Sequence, residues 1–275
     1  MKIFYFGYNA FIIESGDKRI AFDPGGELYF GSRFLKSIIP KSKWHGITHI
    51  FVTHGDSDHH WYTDKVADKS GAAVICSKEM VKNKDGLNYL NHPRKKKIEY
   101  TLPLKKLYSV APGKKIRVDD IEVAGIKTIH GALRLKFGPS ERFWAPVPFV
   151  KVVKTVPEGR VGLGSIGFQI HVDDKIIVNL GDTLLKEDDW KSIDEPDVLM
   201  LPIGGEAIHN TMNEKDALRA VELLRPKLVI PCHYNCSGLF YKNANPADDE
   251  FFKREVDGMG SECAILKVGE SVGAC

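Results

Sequence analysis

One local plan occurs three times and narrows the folds open to this chain. Residues Phe11 to Asp23 read as an alternating strand, a polar turn at Ser15-Gly16-Asp17, and a second strand, Lys18 to Phe22, that ends at Asp23. Lys115 to His130 repeats the plan around Asp119-Asp120, and Ile166 to Asp182 repeats it around Asp173-Asp174. Alternation bounded by Asp and Gly turns is the hairpin signal. Each hairpin delivers an Asp or a His at the C-terminal end of its second strand. Three further runs, Ile47–Thr53, Asp197–Ile203 and Lys227–Ile230, are almost continuously apolar, which predicts strands covered on both faces. They lead into His54, Gly204-Gly205 and Pro231-Cys232-His233.

Ala217, Leu218, Val221 and Leu224 predict a helix over Glu214–Arg225, with Thr211 and Glu214 spaced as a capping box and Pro226 as its stop. A second helix is expected after His59, through Trp61 and Val66, ending before Gly71. Strands and helices mix without strict alternation, so packed sheets flanked by helices are the expected α/β architecture. A chain of 275 residues fits one generous domain, here taken as 1–275. Two segments depart from that scaffold. Residues 82–106 carry Lys82, Lys84, Arg94, Lys95, Lys96, Lys97, Lys105 and Lys106 against Asp85 and Glu99. Residues 133–157 hold four prolines with Phe137, Phe143, Trp144 and Phe149.

Composition excludes several classes. Apolar residues make up 43% and charged residues 27%, the balance of a globular protein rather than a disordered one. A net charge of +3 is too small to argue for nucleic acid. Aromatic interleaving near the basic segment, limited to Tyr89, Tyr100 and Tyr108, argues the same way. The five cysteines are odd in number and lack a Cys-x-x-Cys pair, which fits a reducing compartment better than a disulfide framework. Met1 to Glu14 reads as a strand rather than a signal peptide, and no apolar run reaches the ~20 residues that span a bilayer. A cytoplasmic protein with no membrane insertion is expected.

The chemistry concentrates in Thr53-His54-Gly55-Asp56-Ser57-Asp58-His59-His60, where His54, Asp56, Asp58, His59 and His60 fall within seven residues directly after an apolar strand. Imidazole and carboxylate together suit divalent zinc, iron or manganese. Without an ion, groups packed this closely would repel or stay unpaired.

This stretch resembles the His-x-His-x-Asp-His signature of the metallo-β-lactamase superfamily, with Asp56 standing where the second His is usual. The order of the rest agrees: Phe22-Asp23-Pro24-Gly25, His130, Gly181-Asp182-Thr183 and Pro231-Cys232-His233-Tyr234. Gly204-Gly205, Thr211-Met212 and the helix leading to Ile230-Pro231-Cys232-His233-Tyr234-Asn235 look most like the branch of ascorbate-6-phosphate lactonase and the N-acylphosphatidylethanolamine phospholipase D relatives. The resemblance implies a four-layer αββα sandwich with a dinuclear site at one edge between the sheets. By position, it assigns His54, Asp56 and His130 to a first metal and Asp58, His59 and His233 to a second, with Asp182 bridging them. The carboxylate at 56 hardens the first site toward iron or manganese. It could instead leave that site empty, or let His60 take the missing imidazole's place.

The implied activity is hydrolysis of a small anionic ester, lactone or phosphodiester by two divalent ions, with Asp58 orienting the nucleophile. His209, in the loop before the capped helix, is a candidate proton donor or substrate contact. Asp23 is read as holding a ligand histidine in place. Cys232, beside His233, is read as a small hydrophobe of a buried strand, and His171 as a surface residue. His45, His49 and His92 receive no role. The basic run Arg94-Lys95-Lys96-Lys97 would attract an anionic substrate if it lay beside the metal edge. The aromatic segment would serve as a pocket lid or as a contact in a homo-oligomer. Two other functional classes remain: a di-iron redox protein, and a metal- or anion-binding protein with a degraded first site.

Overall fold

The computed structural model describes residues 1–27, 36–82, 106–137, 152–156, 162–206, 209–236 and 245–274. The first half of the chain builds β1 (Lys2–Tyr5), β2 (Phe11–Ser15), β3 (Lys18–Phe22), β4 (His49–Phe51), α1 (Ser57–His60), α2 (Thr63–Ser70), β5 (Ala73–Ser77), α3 (Lys78–Lys82) and β6 (Leu107–Val110). Next come β7 (Lys115–Val118), β8 (Ile121–Lys127), β9 (Leu133–Phe137), β10 (Val152–Val156), β11 (Ile166–Val172) and β12 (Lys175–Asn179). The chain closes with α4 (Glu187–Trp190), β13 (Val198–Pro202), α5 (Glu214–Leu224), β14 (Leu228–Cys232), α6 (Asp249–Gly258), β15 (Glu262–Cys263) and β16 (Ser271–Gly273).

Two seven-stranded mixed sheets result, in the orders β16-β1-β2-β3-β4-β5-β6 and β15-β14-β13-β12-β11-β8-β7. All three hairpins read from the sequence pair as antiparallel strands: β2 with β3, β7 with β8, and β11 with β12. The continuously apolar runs became the parallel strands β4, β13 and β14, buried along their whole length.

Side-chain parity then sets the layers. Phe11, Ile13, Phe22 and Phe51 of one sheet meet Val123, Phe168, Ile170 and Met200 of the other in a shared core. Phe51 bridges the gap, stacked on Phe22 at 5.1 Å and edge-on to Phe168 at 5.2 Å. A fully buried aromatic of this kind contributes about 1.5–3 kcal/mol. The opposite parity of the first sheet, Ile12, Ala21, Ile50 and Val52, packs with Val66, Ala67 and Met80 of α2 and α3. On the second sheet, Val178, Leu199 and Val229 pack with Trp190, Val221 and Phe252 of α4, α5 and α6. The architecture is thus helix, sheet, sheet, helix.

Three local readings need correction. The helix expected after His59 is two pieces, a single turn α1 and then α2, which stops at Gly71 with φ +73°. The cap of α5 is Asn213, whose Oδ1 accepts the Asp216 N–H at 3.0 Å; Thr211 Oγ1 instead donates to the Thr183 carbonyl. The segment 133–157 begins and ends as an antiparallel ribbon, β9 with β10, rather than as loop throughout. Phe143, Trp144 and Phe149, and the basic residues between 83 and 105, lie outside the described residues.

The turns of the hairpins gather at one end of the sandwich. There Lys18 Nζ reaches Asp120 at 2.7 Å and Asp173 at 3.6 Å, tying the two sheets. The opposite ends of β3, β4, β8, β12 and β14 carry Asp23, His54, His130, Asp182 and His233. Open sheets with parallel strands place their ligand sites beyond those carboxyl ends.

Candidate metal centre

Strand ends and one short helix bring the donors together. His54 follows β4, and α1 then carries Asp58 and His59. Gly25 makes this possible: a Cβ on it would lie 1.7 Å from the Asp58 carbonyl oxygen, so the end of β3 can press against α1 only without a side chain. His233 adopts φ +51°, the left-handed region, directly after β14.

The donor atoms fall into overlapping groups whose members lie within 4.8 Å of one another: His54, Asp56 and His130; Asp58, His59 and His233; and His54, His59 and Asp182. In the first group, Asp56 Oδ2 lies 3.5 Å from His54 Nε2 and 3.6 Å from His130 Nε2. In the second, Asp58 Oδ2 lies 3.5 Å from His233 Nε2 and 3.7 Å from His59 Nε2. Asp182 Oδ2 touches both, at 3.0 Å from His233, 3.6 Å from His59 and 3.8 Å from His130. His60 stays apart, its Nδ1 bonded to the Asp56 carbonyl at 3.0 Å. His209 is exposed, with φ +56°, and is not in these groups. Its loop does abut one of them, because Gly131 N–H donates to the Asn210 carbonyl at 2.8 Å.

The outer nitrogens of the histidines are held from behind. His59 Nδ1 bonds Asp23 Oδ2 at 2.7 Å, and His130 Nδ1 bonds the Gly131 carbonyl at 2.7 Å. Both partners only accept, so each Nδ1 carries a proton, and the neutral ring turns the Nε2 lone pair toward the cluster. His54 Nδ1 meets Thr53 Oγ1 at 3.1 Å, and His233 Nδ1 meets the Asn245 amide at 3.1 Å.

Among the described residues, Nε2 of His54, His59 and His233, and Oδ1 of Asp182, are buried and make no well-aligned hydrogen bond, the nitrogens facing carboxylate oxygens only as ion pairs. Such orphans cost about 1–3 kcal/mol each. Converging imidazole nitrogens and carboxylate oxygens are what a divalent ion satisfies. The residues therefore fit a metal.

The electrostatics agree. Burial opposes ionisation of Asp56, Asp58 and Asp182, yet the facing imidazoles prevail and hold all three carboxyls below their ordinary range: His54 and His130 for Asp56, His59 and His233 for the other two. Burial likewise opposes charge on His59, but Asp182, Asp23 and Asp58 push it well above the usual imidazole value. Burial, then His54, lowers His130.

Several supporting residues escaped the sequence reading. Asn245 Oδ1 accepts the Cys236 N–H while its amide nitrogen faces His233. Gly162 N–H holds Asp56 Oδ1 at 3.1 Å. Asn179 Oδ1 accepts the N–H of Gly181, the residue before Asp182, at 2.8 Å. Of these, only Asn179 carried a signal, as a polar residue inside the apolar run Ile176–Leu180.

Comparison with known families decides the lineage. The family described as the beta-lactamase superfamily domain matches residues 2–233. The chain belongs to the metallo-β-lactamase superfamily. Within it, the chain is 30% identical to a UPF0173 metal-dependent hydrolase of Alkaliphilus metalliredigens, over 98% of both sequences. It is 29% identical to a UPF0173 metal-dependent hydrolase of Pyrococcus horikoshii, over 99% of both. Among solved structures, Igni18, a metallo hydrolase from the archaeon Ignicoccus hospitalis, shares the metallo-β-lactamase fold with a TM-score of 0.65 at 24% identity, covering 98% of this chain and 97% of that one.

Proposed function

We propose that this chain is a metal-dependent hydrolase that uses two divalent ions, zinc, manganese or iron, on a small anionic ester, lactone or phosphodiester. One observation carries the reading: two donor groups, each with two histidines and a carboxylate, share the single oxygen Asp182 Oδ2. His54, Asp56 and His130 would hold one ion, Asp58, His59 and His233 the other, and Asp182 would bridge them. Relatives named metal-dependent hydrolases match nearly the full length, which supports the same reading.

Bound ions supply Lewis acidity that makes hydroxide available near neutral pH and polarises a carbonyl or phosphoryl oxygen. The protein supplies placement. Asp58, held among His59 and His233, orients the attacking nucleophile. His209 is the candidate donor of a proton to the leaving group. The likeness of the Gly204-to-Asn235 region to the ascorbate-6-phosphate lactonase branch puts phosphorylated lactones and phosphodiesters first among substrates to try. The buried free thiols of Cys76, Cys232, Cys236 and Cys263 suit a cytoplasmic setting. Among the described residues no helix is long and apolar enough to cross a membrane.

The test is elemental analysis of the purified protein, joined to a panel of chromogenic phosphodiesters, esters and lactones. Two ions per chain with turnover of at least one class is the expected result. No bound metal, or two ions with no hydrolysis across the panel, would overturn the reading. Iron alone with oxygen consumption would replace it with redox chemistry.

A further inference from the structure

Beneath the donor groups, the polar side chains between the sheets converge on one amide. Asn9 lies in the link between β1 and β2 and is fully buried. Its Nδ2 donates to Asp23 Oδ2 at 2.6 Å and to Asn179 Oδ1 at 3.1 Å. Its Oδ1 accepts from the Cys232 thiol at 3.3 Å. Asp23, Asn179 and Cys232 are themselves fully buried. A carboxylate only accepts, so the amide nitrogen must face Asp23 and the orientation is fixed.

Each of these three partners leads to a different donor. Asp23 Oδ2 also receives His59 Nδ1 at 2.7 Å. Asn179 Oδ1 also receives the Gly181 N–H, one residue before Asp182. Cys232 directly precedes His233, whose own N–H donates to the Tyr8 carbonyl, one residue before Asn9, at 2.8 Å. His59, Asp182 and His233 are thus each one short step from the same side chain. His54 is also reached, through Asp23 and then Thr53 Oγ1. Among the described residues, no hydrogen bond of Asn9 goes to a residue bonded to Asp56 or His130.

We propose that Asn9 is a positioning residue that holds His59, Asp182 and His233 in mutual register, and so sets the affinity and geometry of the ion bound with Asp58. The proposal rests on the dinuclear reading of the centre. The link brings together the ends of β3, β12 and β14, which belong to both sheets. Asparagine suits the position because it offers two donors and one acceptor from one rigid plane. Alanine offers none of these. Serine offers one donor and cannot span Asp23 and Asn179 together.

Cobalt(II) titration of the metal-free protein tests this, followed by visible absorption and chelator competition. Thermal unfolding of each metal-free variant runs alongside. In Asn9→Ala, one ion should weaken by about 10–100-fold, the range for lost supporting hydrogen bonds to metal ligands. Its absorption bands should change, and the other ion, which shares Asp182, should weaken by a clearly smaller factor. Cys232→Ser keeps a donor toward Asn9 Oδ1 and should bind both ions as the wild type does. If Asn9→Ala does not fold, Asn9→Ser and then Cys232→Ala are read in its place, each expected to weaken the same single ion. Equal weakening of both ions, or no change, overturns the positioning role while leaving the dinuclear centre standing. Fewer than two cobalt ions on the wild type overturns the dinuclear reading, and this proposal with it.

Discussion

Asp56 Oδ1 accepts the backbone N–H of Gly162 at 3.1 Å. That bond turns Oδ2 toward His54 and His130. Gly162 can approach only because it is glycine: it sits at φ +66°, and a Cβ there would lie 2.2 Å from His130 Cβ. A carboxylate at position 56 is therefore supported by its surroundings, which argues against a decayed first group. Asp56→Asn keeps an acceptor for Gly162 and removes the charge. It should lower the metal content by one ion per chain and weaken that ion by more than the ~10–100-fold typical of a lost supporting contact. Elemental analysis after dialysis measures it. Unchanged stoichiometry would take Asp56 out of the ligand set.

Gly25 gives a second test, because it fixes how α1 meets β3. The Gly26 N–H bonds the Ser57 carbonyl at 2.9 Å, and the Tyr62 N–H bonds the Pro24 carbonyl at 2.9 Å. A methyl group at position 25 must displace Asp58. Gly25→Ala should cost about 1–3 kcal/mol, as overpacking does, or roughly 2–4 °C in Tm for each kcal/mol at this size. On the proposed dinuclear reading it should also weaken the ion that Asp58 would hold. A variant with wild-type Tm and full metal content would show that the segment yields freely.

How much of the site is legible in the sequence depends on how local each signal is. The convergence of His54, His130, Asp182 and His233 is legible because each follows an apolar run, and strand burial is written in a few neighbouring residues. The cap of α5 was misplaced because Thr211 and Glu214 have the right spacing, yet Thr211 is drawn to the Thr183 carbonyl and leaves the cap to Asn213. Asn9 was invisible for a different reason. In Gly7-Tyr8-Asn9-Ala10 an asparagine reads as an ordinary turn residue. Its role exists only once Asp23, Asn179 and Cys232, far apart in the chain, come to surround it.

Asp197 gives a stability test away from the centre. Its Oδ2 accepts the Ile176 N–H at 2.8 Å, its Oδ1 meets Lys227 at 2.8 Å, and its carbonyl accepts the Leu228 N–H at 3.0 Å. One residue thus pins the starts of β12, β13 and β14. Burial would raise this carboxyl, but Lys227, the Ile176 N–H and Lys175 pull it below its ordinary value. A depressed carboxylate contributes stability that is present above the unfolded pKa, about 3.9, and is lost as pH falls through the folded value. Asp197→Asn should therefore cost about 1–2 kcal/mol at pH 7, with the gap closing below about pH 4. Urea unfolding at both pH values decides it. A gap independent of pH would mean that the charge contributes nothing.

The sign reverses at the histidines of the centre. In the metal-free protein, Asp182, Asp23 and Asp58 overcome burial and raise His59; Asp182 and Asp58 do the same for His233. A raised imidazole contributes stability that is present below its unfolded pKa, about 6.5, and is lost as pH rises through the folded value. The metal-free fold should thus lose stability as pH climbs above neutrality. Metal binding needs the same nitrogens deprotonated, so its affinity should rise over that range. The two trends add in one measurable quantity, the gain in Tm on adding zinc. That gain should be larger at pH 8.5 than at pH 6, by several degrees at equal free zinc. A gain that is flat across this range, or larger at pH 6, would mean that His59 and His233 do not give up protons to the ion.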